Sequence, residues 1–415
     1  MKANAKPNPT RRSLLRGTAM ALAVVAAPAV RAQPRPIRIG MVQPMSGGLS
    51  SYGRQGQPAF EHIVKLINGA GGIARFGGAP IEVVLADDAT QPGRTAAEAR
   101  RLITQERVVM LAGMLTTPAS LALAPVIDEL KVPALSIGAG IAKSNYQFSL
   151  GLPFERGFAQ PSVDFIDYLN KERGFALRTA VMAFSNYEAG QQINTLLKPR
   201  LQAIGIDILD DIALDTRAQD HTPAMLRIRA KRPDLVIGLI LPRDGVLLQQ
   251  ARHSLAYHEP IFFSPGYGDI SFWHDLSPAV GEAVLTRNLF ALVSVSPAAR
   301  IPALQALVAD LGSRAQVQIT SVSLLTAQAA RVIQAALEAA DAPEPLAIHQ
   351  ALGRIHLPPG DPNLYLASPD GIRFGPDRMM TTPYGVMAQW RSDQGQDVVY
   401  PAAFAGATPR PRTAR

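Results

Sequence analysis

Strand-like and helix-like segments alternate along most of this chain, and that rhythm limits the fold more than any other feature. Ile37 to Val42 reads as a strand and is followed by the loop QPMSGGLSSYG. Ala59, Phe60, Ile63, Val64 and Ile67 then recur at helical spacing, and Gly69 with Gly71-Gly72 predicts the helix end. IEVVLADDA, VVMLAG and ALSIGAG read as strands, with helices predicted over Thr95 to Gln105 and over Pro118 to Leu130. Pro118 suits a first helical turn because its missing N–H would have no partner there. The rhythm restarts after Pro153: helix over Phe158 to Arg173, strand RTAVMAFS, helix over Gly190 to Ile204, strand DIALD. A helix around Pro223 to Ala230, the buried strand DLVIGLIL, a helix over Gly245 to Leu255 and the strand PIFFSPG complete it. Repeated βα units predict parallel sheets covered by helices on both faces. The break at Pro153 predicts an α/β chain of two Rossmann-like lobes.

The N-terminus has a different character. TRRSLLRGTAMALAVVAAPAVRAQ contains a basic segment, an apolar run from Thr18 to Val30 and the small-residue site Val30-Arg31-Ala32. These are the three parts of an export signal, cleaved before Gln33. The apolar run is shorter than the ~20 residues that span a bilayer. Arg11-Arg12 followed by Ser13-Leu14-Leu15-Arg16 resembles the twin-arginine signal, which exports folded proteins; the competing reading is a general signal with an arginine pair. Six of the 41 Lys/Arg and none of the 33 acids fall in residues 1–32, so 35 bases face 33 acids after removal. The basic balance therefore belongs to export and to a Pro/Ala tail carrying Arg410, Arg412 and Arg415. It does not indicate nucleic acid, which needs bases clustered on one face. The remainder has no long apolar run, which predicts a soluble mature protein.

Catalytic patterns are missing. Cysteine is absent, so thiol chemistry, disulfides and cysteine–metal sites are excluded. There is no G-x-x-x-x-G-K-[ST] phosphate loop, and Ser46 in PMSGG lacks the first glycine of a nucleophile elbow. Of the seven histidines, only His253 and His258 are close in sequence, and their spacing does not put both on one helix face. Asp87-Asp88 ends a strand where ligands collect in parallel sheets. The pair reads as turn caps rather than as an acid–base couple. No cofactor and no metal are expected.

Several stretches together resemble the leucine/isoleucine/valine-binding protein family, the type I periplasmic solute-binding proteins of ABC importers. IRIGMVQPMSGGLSSYG looks like that family's opening strand and ligand loop, and INGAGGI like its first helix end. VVLADDATQPGRTAAEARRLI, GMLTTPASLALAPVIDELKVPALSIGAG, LLQQARHSLAYHEPIFFSPGYGD and PYGVMAQW follow in the family's order, covering Pro36 to Pro401. The resemblance implies two lobes joined by a three-crossover hinge. The implied boundaries are a signal peptide at 1–32, lobe 1 over 34–155 and 284–368, lobe 2 over 156–283 and 369–402, and a disordered tail over 403–415.

By position in that pattern, Thr116 and Thr117 take a ligand carboxylate at a helix N-terminus, with N-capping as the alternative role. Tyr52 and Tyr187 match ligand-stacking aromatics, or else pack within the lobes. Ser136, Gly138, Ala139 and Gly140 match the segment that supplies further contacts in the first lobe. Gly140 stands where the family places Ser or Thr, and Gly266 stands near the family's Glu, which pairs with a ligand ammonium. Leu241 replaces a tyrosine, with Arg243 beside it. Tyr267 and Asp269 are the nearest polar candidates, and Asp269 is the acid that could replace the missing Glu. An ammonium buried without an anion is costly. The resemblance with its departures therefore implies a periplasmic, monomeric binding protein. It delivers a small carboxylate, amide or amino-acid-like solute to an ABC permease by closing its cleft. The alternatives are a ligand sensor of the same fold and an exported enzyme on a doubly wound sheet.

Overall fold

The computed structural model describes residues 1–3, 34–138, 140–268, 270–315 and 317–412, so the export segment, Ala139 and Asp269 lie outside the described residues. The folded unit begins at Arg35. Its first sheet has the order β2(Ile81–Asp87), β1(Ile37–Gln43), β3(Met110–Gly113), β4(Ala134–Ser136), β5(Gln147–Ser149), and every pairing is parallel. Helices α1(Ser50–Gly69), α2(Pro92–Thr104) and α3(Thr117–Leu130) cover its faces. α1 buries Ala59, Phe60, Ile63, Val64 and Ile67, the stripe predicted from their spacing. Against the other face, α2 and α3 bury Leu102, Leu123 and Ile127 around Val108 and Leu111. Each such side chain contributes ~1.5–3 kcal/mol by leaving water.

The second sheet has the order β12(Gln396–Tyr400), β11(Val386–Trp390), β10(Leu289–Val293), β9(Ile261–Phe263), β8(Leu235–Ile237), β6(Thr179–Ser185), β7(Asp207–Leu214). Strands β6 to β10 are parallel, and β11–β12 is an antiparallel hairpin added beside β10. Helices α4(Gln160–Lys171), α5(Glu188–Ala203), α6(Thr222–Lys231), α7(Pro242–Ser254), α8(Ser271–Asp275) and α9(Pro278–Leu285) belong to this lobe. Phe165 anchors its core, 5.0 Å from the Phe290 ring and 5.5 Å from Tyr400. The chain then returns to the first lobe with α10(Pro302–Asp310), α11(Ser321–Ala339) and α12(Pro345–Leu352). α11 lies so close to α1 that a Cβ on Gly56 would meet Thr326 Oγ1 at 2.8 Å.

Three crossings therefore join the lobes: after β5, after β10 and before β11. Two expectations need correction here. β10 pairs with β9 in the second sheet, so lobe 2 runs to Val293 and not to residue 283. Over its described residues, 403–412, the tail packs on lobe 2. Arg410 donates its backbone N–H to Gln389 Oε1 at 2.9 Å and pairs with Asp397, while Arg412 reaches Asp234 Oδ1 at 3.2 Å. Pro/Ala composition suggested disorder, but these two guanidinium anchors hold the segment against lobe 2.

No described helix is long and apolar enough to cross a membrane.

Candidate ligand cleft

The strand orders locate the cleft. In each lobe the second strand in sequence lies on one side of the first, and the later strands lie on the other. The loops leaving the two middle strands therefore diverge and open a crevice. In lobe 1 these loops follow β1 and β3; in lobe 2 they follow β6 and β8. A cavity of about 530 Å³ is lined by Leu49 and Thr116 from the first pair of loops and by Tyr187 and Leu241 from the second. A further compartment of about 400 Å³ shares Leu115, Gly138, Leu239, Leu241, Pro265 and Leu292 with it. It reaches Tyr52, Thr320, Trp390 and Gln394.

Thr116 and Thr117 have different roles. Thr116 is the N-cap of α3, and its Oγ1 accepts from the Ala119 N–H at 3.3 Å. Thr117 is the first helical residue, and its hydroxyl and N–H have no intramolecular partner among the described residues. Both threonines line the cavity. Pro118 has no N–H, so the free donors of this helix start come down to the Thr117 groups and the Thr116 hydroxyl proton. They point to a hydrogen-bond acceptor, preferably an anion.

The two glycines of the cleft loops, Gly140 and Gly266, have little room for a side chain. A Cβ on Gly140 would lie 2.5 Å from Phe154 Cε1 and 2.8 Å from the Leu152 carbonyl oxygen. A serine or threonine at 140 would thus have to displace both the Leu152 carbonyl and an aromatic ring that itself lines the cavity. A Cβ on Gly266 would lie 2.0 Å from the Ile240 carbonyl oxygen, so this backbone admits no glutamate there. Phe154, Phe158, Ile193, Leu239 and Leu292 give the main cavity an apolar wall. Its one charged lining residue among those described is Asp88. That carboxylate is 3% exposed and already accepts from the Thr90 N–H at 2.9 Å and the Thr95 hydroxyl at 3.1 Å. Burial raises its pKa above the ordinary value, although both hydrogen bonds oppose the shift. Asp87 accepts from the backbone N–H groups of Met45, Ser46 and Ala89. Burial works against its charge, but these bonds and the Ser46 hydroxyl hold its pKa below the usual range. The acid pair caps turns, as the sequence suggested.

Other positions divide clearly. Tyr187 lines the main cavity at the start of α5; burial, then the charge of Asp244, pushes its phenol far above the usual range and keeps it protonated. Leu241 lines both compartments, and its N–H donates to Ser185 Oγ at 2.9 Å. Gly138 lines both, and Tyr52 lines the second. Three residues lie elsewhere. Ser136 is fully buried, its hydroxyl 2.8 Å from Ser120 Oγ and 3.0 Å from Gln147 Nε2, where it ties β4 and β5 to α3. Arg243 is exposed and donates to the Thr216 carbonyl and Gln219 Oε1, both at 3.0 Å. Tyr267 is fully buried, and its hydroxyl accepts from Gln249 at 3.0 Å. Gln249 in turn accepts from Arg252, which is wholly buried with its guanidinium 4.4 Å from the Phe262 ring centre.

Behind Leu241, the Ser185 hydroxyl donates to Asp244, and His221 Nε2 stands 3.3 Å from the other Asp244 oxygen. The carboxylate lies between the hydroxyl and the imidazole. The histidine therefore cannot take the serine proton, and the cluster fixes the start of α7 instead of building a nucleophile. Sequence reasoning missed the apolar wall. Phe154 and Phe158 recur at i, i+4 just past Pro153, a pair that reads as helix core unless the lobe junction is known.

A periplasmic binding protein family model matches residues 36–395. The "Leu/Ile/Val-binding protein homolog 8" of Brucella abortus (strain 2308) is 25% identical over 392 residues, 90% of this chain and 93% of that protein. Among solved structures, the LivJ branched-chain amino acid transporter substrate binding protein of Streptococcus pneumoniae, in complex with isoleucine, superposes with a TM-score of 0.72 at 17% identity. That match covers 88% of this chain and 100% of the other. A solute binding protein of an ABC transporter from R. palustris, in complex with 4-hydroxybenzoate, gives 0.68 at 20% identity, covering 89% and 95%. The family match spans nearly all of the folded unit. The chain belongs to the periplasmic binding protein family and works outside the cytoplasm as a binder of small solutes, not as an enzyme.

Proposed function

We propose that the cleft captures a small monocarboxylate with a flat or branched apolar body and no ammonium group, and presents it to an ABC permease. The observation that carries this reading is the pair Gly140 and Gly266. Their Cβ positions are occupied by Phe154 and by the Ile240 carbonyl, so the hydroxyl and the carboxylate that an amino-acid head group needs have no room. Thr117 supplies the donors for the carboxylate, Thr116 assists through its hydroxyl proton, and Tyr187 and Phe154 flank the apolar body. Gly138 and Leu241 border it, and Tyr52 closes the far compartment. Ligand touching both lobes favours the closed form, and the permease reads that closed form of the monomer. A thermal-shift and calorimetry panel of aliphatic and aromatic monocarboxylates, amides, leucine, isoleucine and valine tests the reading. Micromolar binding of a carboxylate without ammonium is expected. Comparable binding of leucine, isoleucine or valine overturns it.

The export route follows from Arg11 and Arg12, which fit transport of the finished fold by the twin-arginine route. Arg11→Lys with Arg12→Lys is expected to leave precursor in the cytoplasm. Unchanged export of that variant would assign the signal to the general route.

A further inference from the structure

A second hollow lies apart from the cleft and shares no lining residue with it. Its volume, about 510 Å³, nearly equals that of the main cleft cavity. Its walls come from segments that meet only at the hinge. Ile301 and Pro302 follow the second crossing, Leu364 and Leu366 precede the third, Tyr384 lies on the third, and Phe404 belongs to the segment after β12. Backbone bonds tie these segments together across the lobes. The Arg300 N–H donates to the Phe404 carbonyl at 2.9 Å, and the Tyr384 N–H to the Ala367 carbonyl at 3.0 Å.

The lining is mostly proline, leucine, alanine and aromatic carbon, and much of it faces solvent. A contiguous apolar concavity of this kind on a soluble domain marks a binding surface. The polar lining groups are mostly engaged. Ser368 gives its hydroxyl to the carbonyls of Gly371 and Thr382; Asp361, the acid among the lining groups, accepts the Asn363 N–H on Oδ1 at 2.8 Å, so an anion bound here sits on the Arg300 side of the hollow, away from that carboxylate. The exception is Arg300. It is exposed, and among the described residues its guanidinium makes one bond, from Nη2 to the Gly406 carbonyl at 3.2 Å, which leaves Nε and Nη1 to donate elsewhere. A cation with unused donors at an apolar hollow is complementary to an apolar molecule carrying one anionic group.

We propose that this hollow is a second ligand site, specific for small apolar anions, and that its occupancy biases opening and closing of the cleft. The coupling follows from the walls. Closure turns the lobes about the crossings, so the lining groups that those two backbone bonds do not hold together change their spacing between the two states. An occupant that fits one spacing binds one state better, and differential affinity is what shifts such an equilibrium.

The probe is 1-anilinonaphthalene-8-sulfonate, with N-phenyl-1-naphthylamine as its neutral counterpart. The chain has no cysteine, so Arg94→Cys with Arg217→Cys places one dye on each lobe for distance measurement without background labelling. The expected result is saturable binding of the sulfonate, weakened about tenfold or more by Arg300→Gln, the loss of one charge-assisted hydrogen bond. The neutral probe is expected to ignore that change, Ala303→Trp to block both probes by filling the hollow, and Leu241→Trp in the cleft to leave saturable binding of both in place, shifted by no more than the coupling. The dye separation is expected to shift as the sulfonate saturates. Sulfonate binding indifferent to Arg300→Gln in a variant with wild-type melting overturns the site. Loss of binding on Leu241→Trp reassigns the probe to the cleft and also overturns it. Binding that leaves the dye separation unchanged overturns the coupling. None of these outcomes depends on which solute the cleft takes.

Discussion

Thr116 and Thr117 are the same residue type one bond apart, and they are expected to fail differently. The Thr116 hydroxyl oxygen already serves the Ala119 N–H, whereas Thr117 leaves its donors to the cavity. Replacing Thr117 with Val removes one hydrogen bond to a charged group, ~1.5–3 kcal/mol. That is about a 10- to 150-fold rise in Kd for the tightest carboxylate of the panel, read by calorimetry, with little change in melting temperature. Thr116→Ala is expected to show mainly as a loss of ~1 kcal/mol of stability, because an N-cap is gone. An unchanged Kd for Thr117→Val removes it from the site. The two threonines were legible in the sequence because Pro118 marks a helix start. Gly140 was legible only as a departure from a pattern. Its cause is the ring of Phe154, which reaches it from beyond β5, and no local signal in SIGAGIA contains that contact. Tyr267 misled for the opposite reason: a tyrosine after a strand end looks like a cleft residue until Gln249, itself held by Arg252, is seen donating to its hydroxyl inside lobe 2.

Elements with strong periodicity were legible, and elements defined by partners were not. β1 to β4, β6 to β9 and the helices between them follow from alternating apolar runs and their turn signals. β10 does not. LFALV is buried at every position, and a short continuous apolar run has no period to separate strand from helix. Its place in the second sheet is set by pairing with β9, which is why the second crossing was expected too early. The crossings also carry an ion pair that sequence spacing cannot reveal. Arg156, in the π-helical turn Phe154–Ala159, reaches Asp377 at 2.8 Å and the Met380 carbonyl at 2.8 Å, tying the first crossing to the third. Partial burial works against the Asp377 charge, but hydrogen bonds from Arg156 and the Met379 N–H hold its pKa below the ordinary carboxyl value. A depressed folded pKa adds stability above the unfolded value of about 3.9, and that stability is lost as pH falls through the folded pKa. Asp377→Asn is therefore expected to melt below wild type at pH 7, with the difference shrinking toward zero in acid. Calorimetric melting of both proteins from pH 7 to pH 3 checks this, and a constant difference across that range denies the ion pair its role.

At the scale of the whole molecule, the two sheets repeat one design. Strands β2-β1-β3-β4-β5 and β7-β6-β8-β9-β10 have the same switch between the first and third strands of each set. Each lobe thus offers half a site, and neither half encloses a solute. Thr117 brings donors from lobe 1, and Tyr187 and Leu241 bring a wall from lobe 2. A solute held by lobe 1 alone gains only the first set of contacts, so closure adds affinity that the open state lacks. Moving an equilibrium from 1:99 to 99:1 takes about 10⁴-fold preference for one state. On the proposed function, burial of an apolar body between two walls, together with an anion sealed from water, supplies that preference. Two measurements on one ligand separate capture from closure. At ~100 times its Kd, the tightest carboxylate is expected to add ~2.7 kcal/mol to stability, seen as a higher melting temperature. The same concentration is expected to reduce the radius of gyration in small-angle scattering, as the lobes draw together. Thr117→Val should weaken the stability gain at that concentration, to between ~0.3 and ~1.4 kcal/mol over the 10- to 150-fold range, and recover both effects in full when the ligand is raised by its own loss in affinity. A ligand that raises the melting temperature with the radius unchanged would be held by one lobe, and closure would not be how this protein captures it.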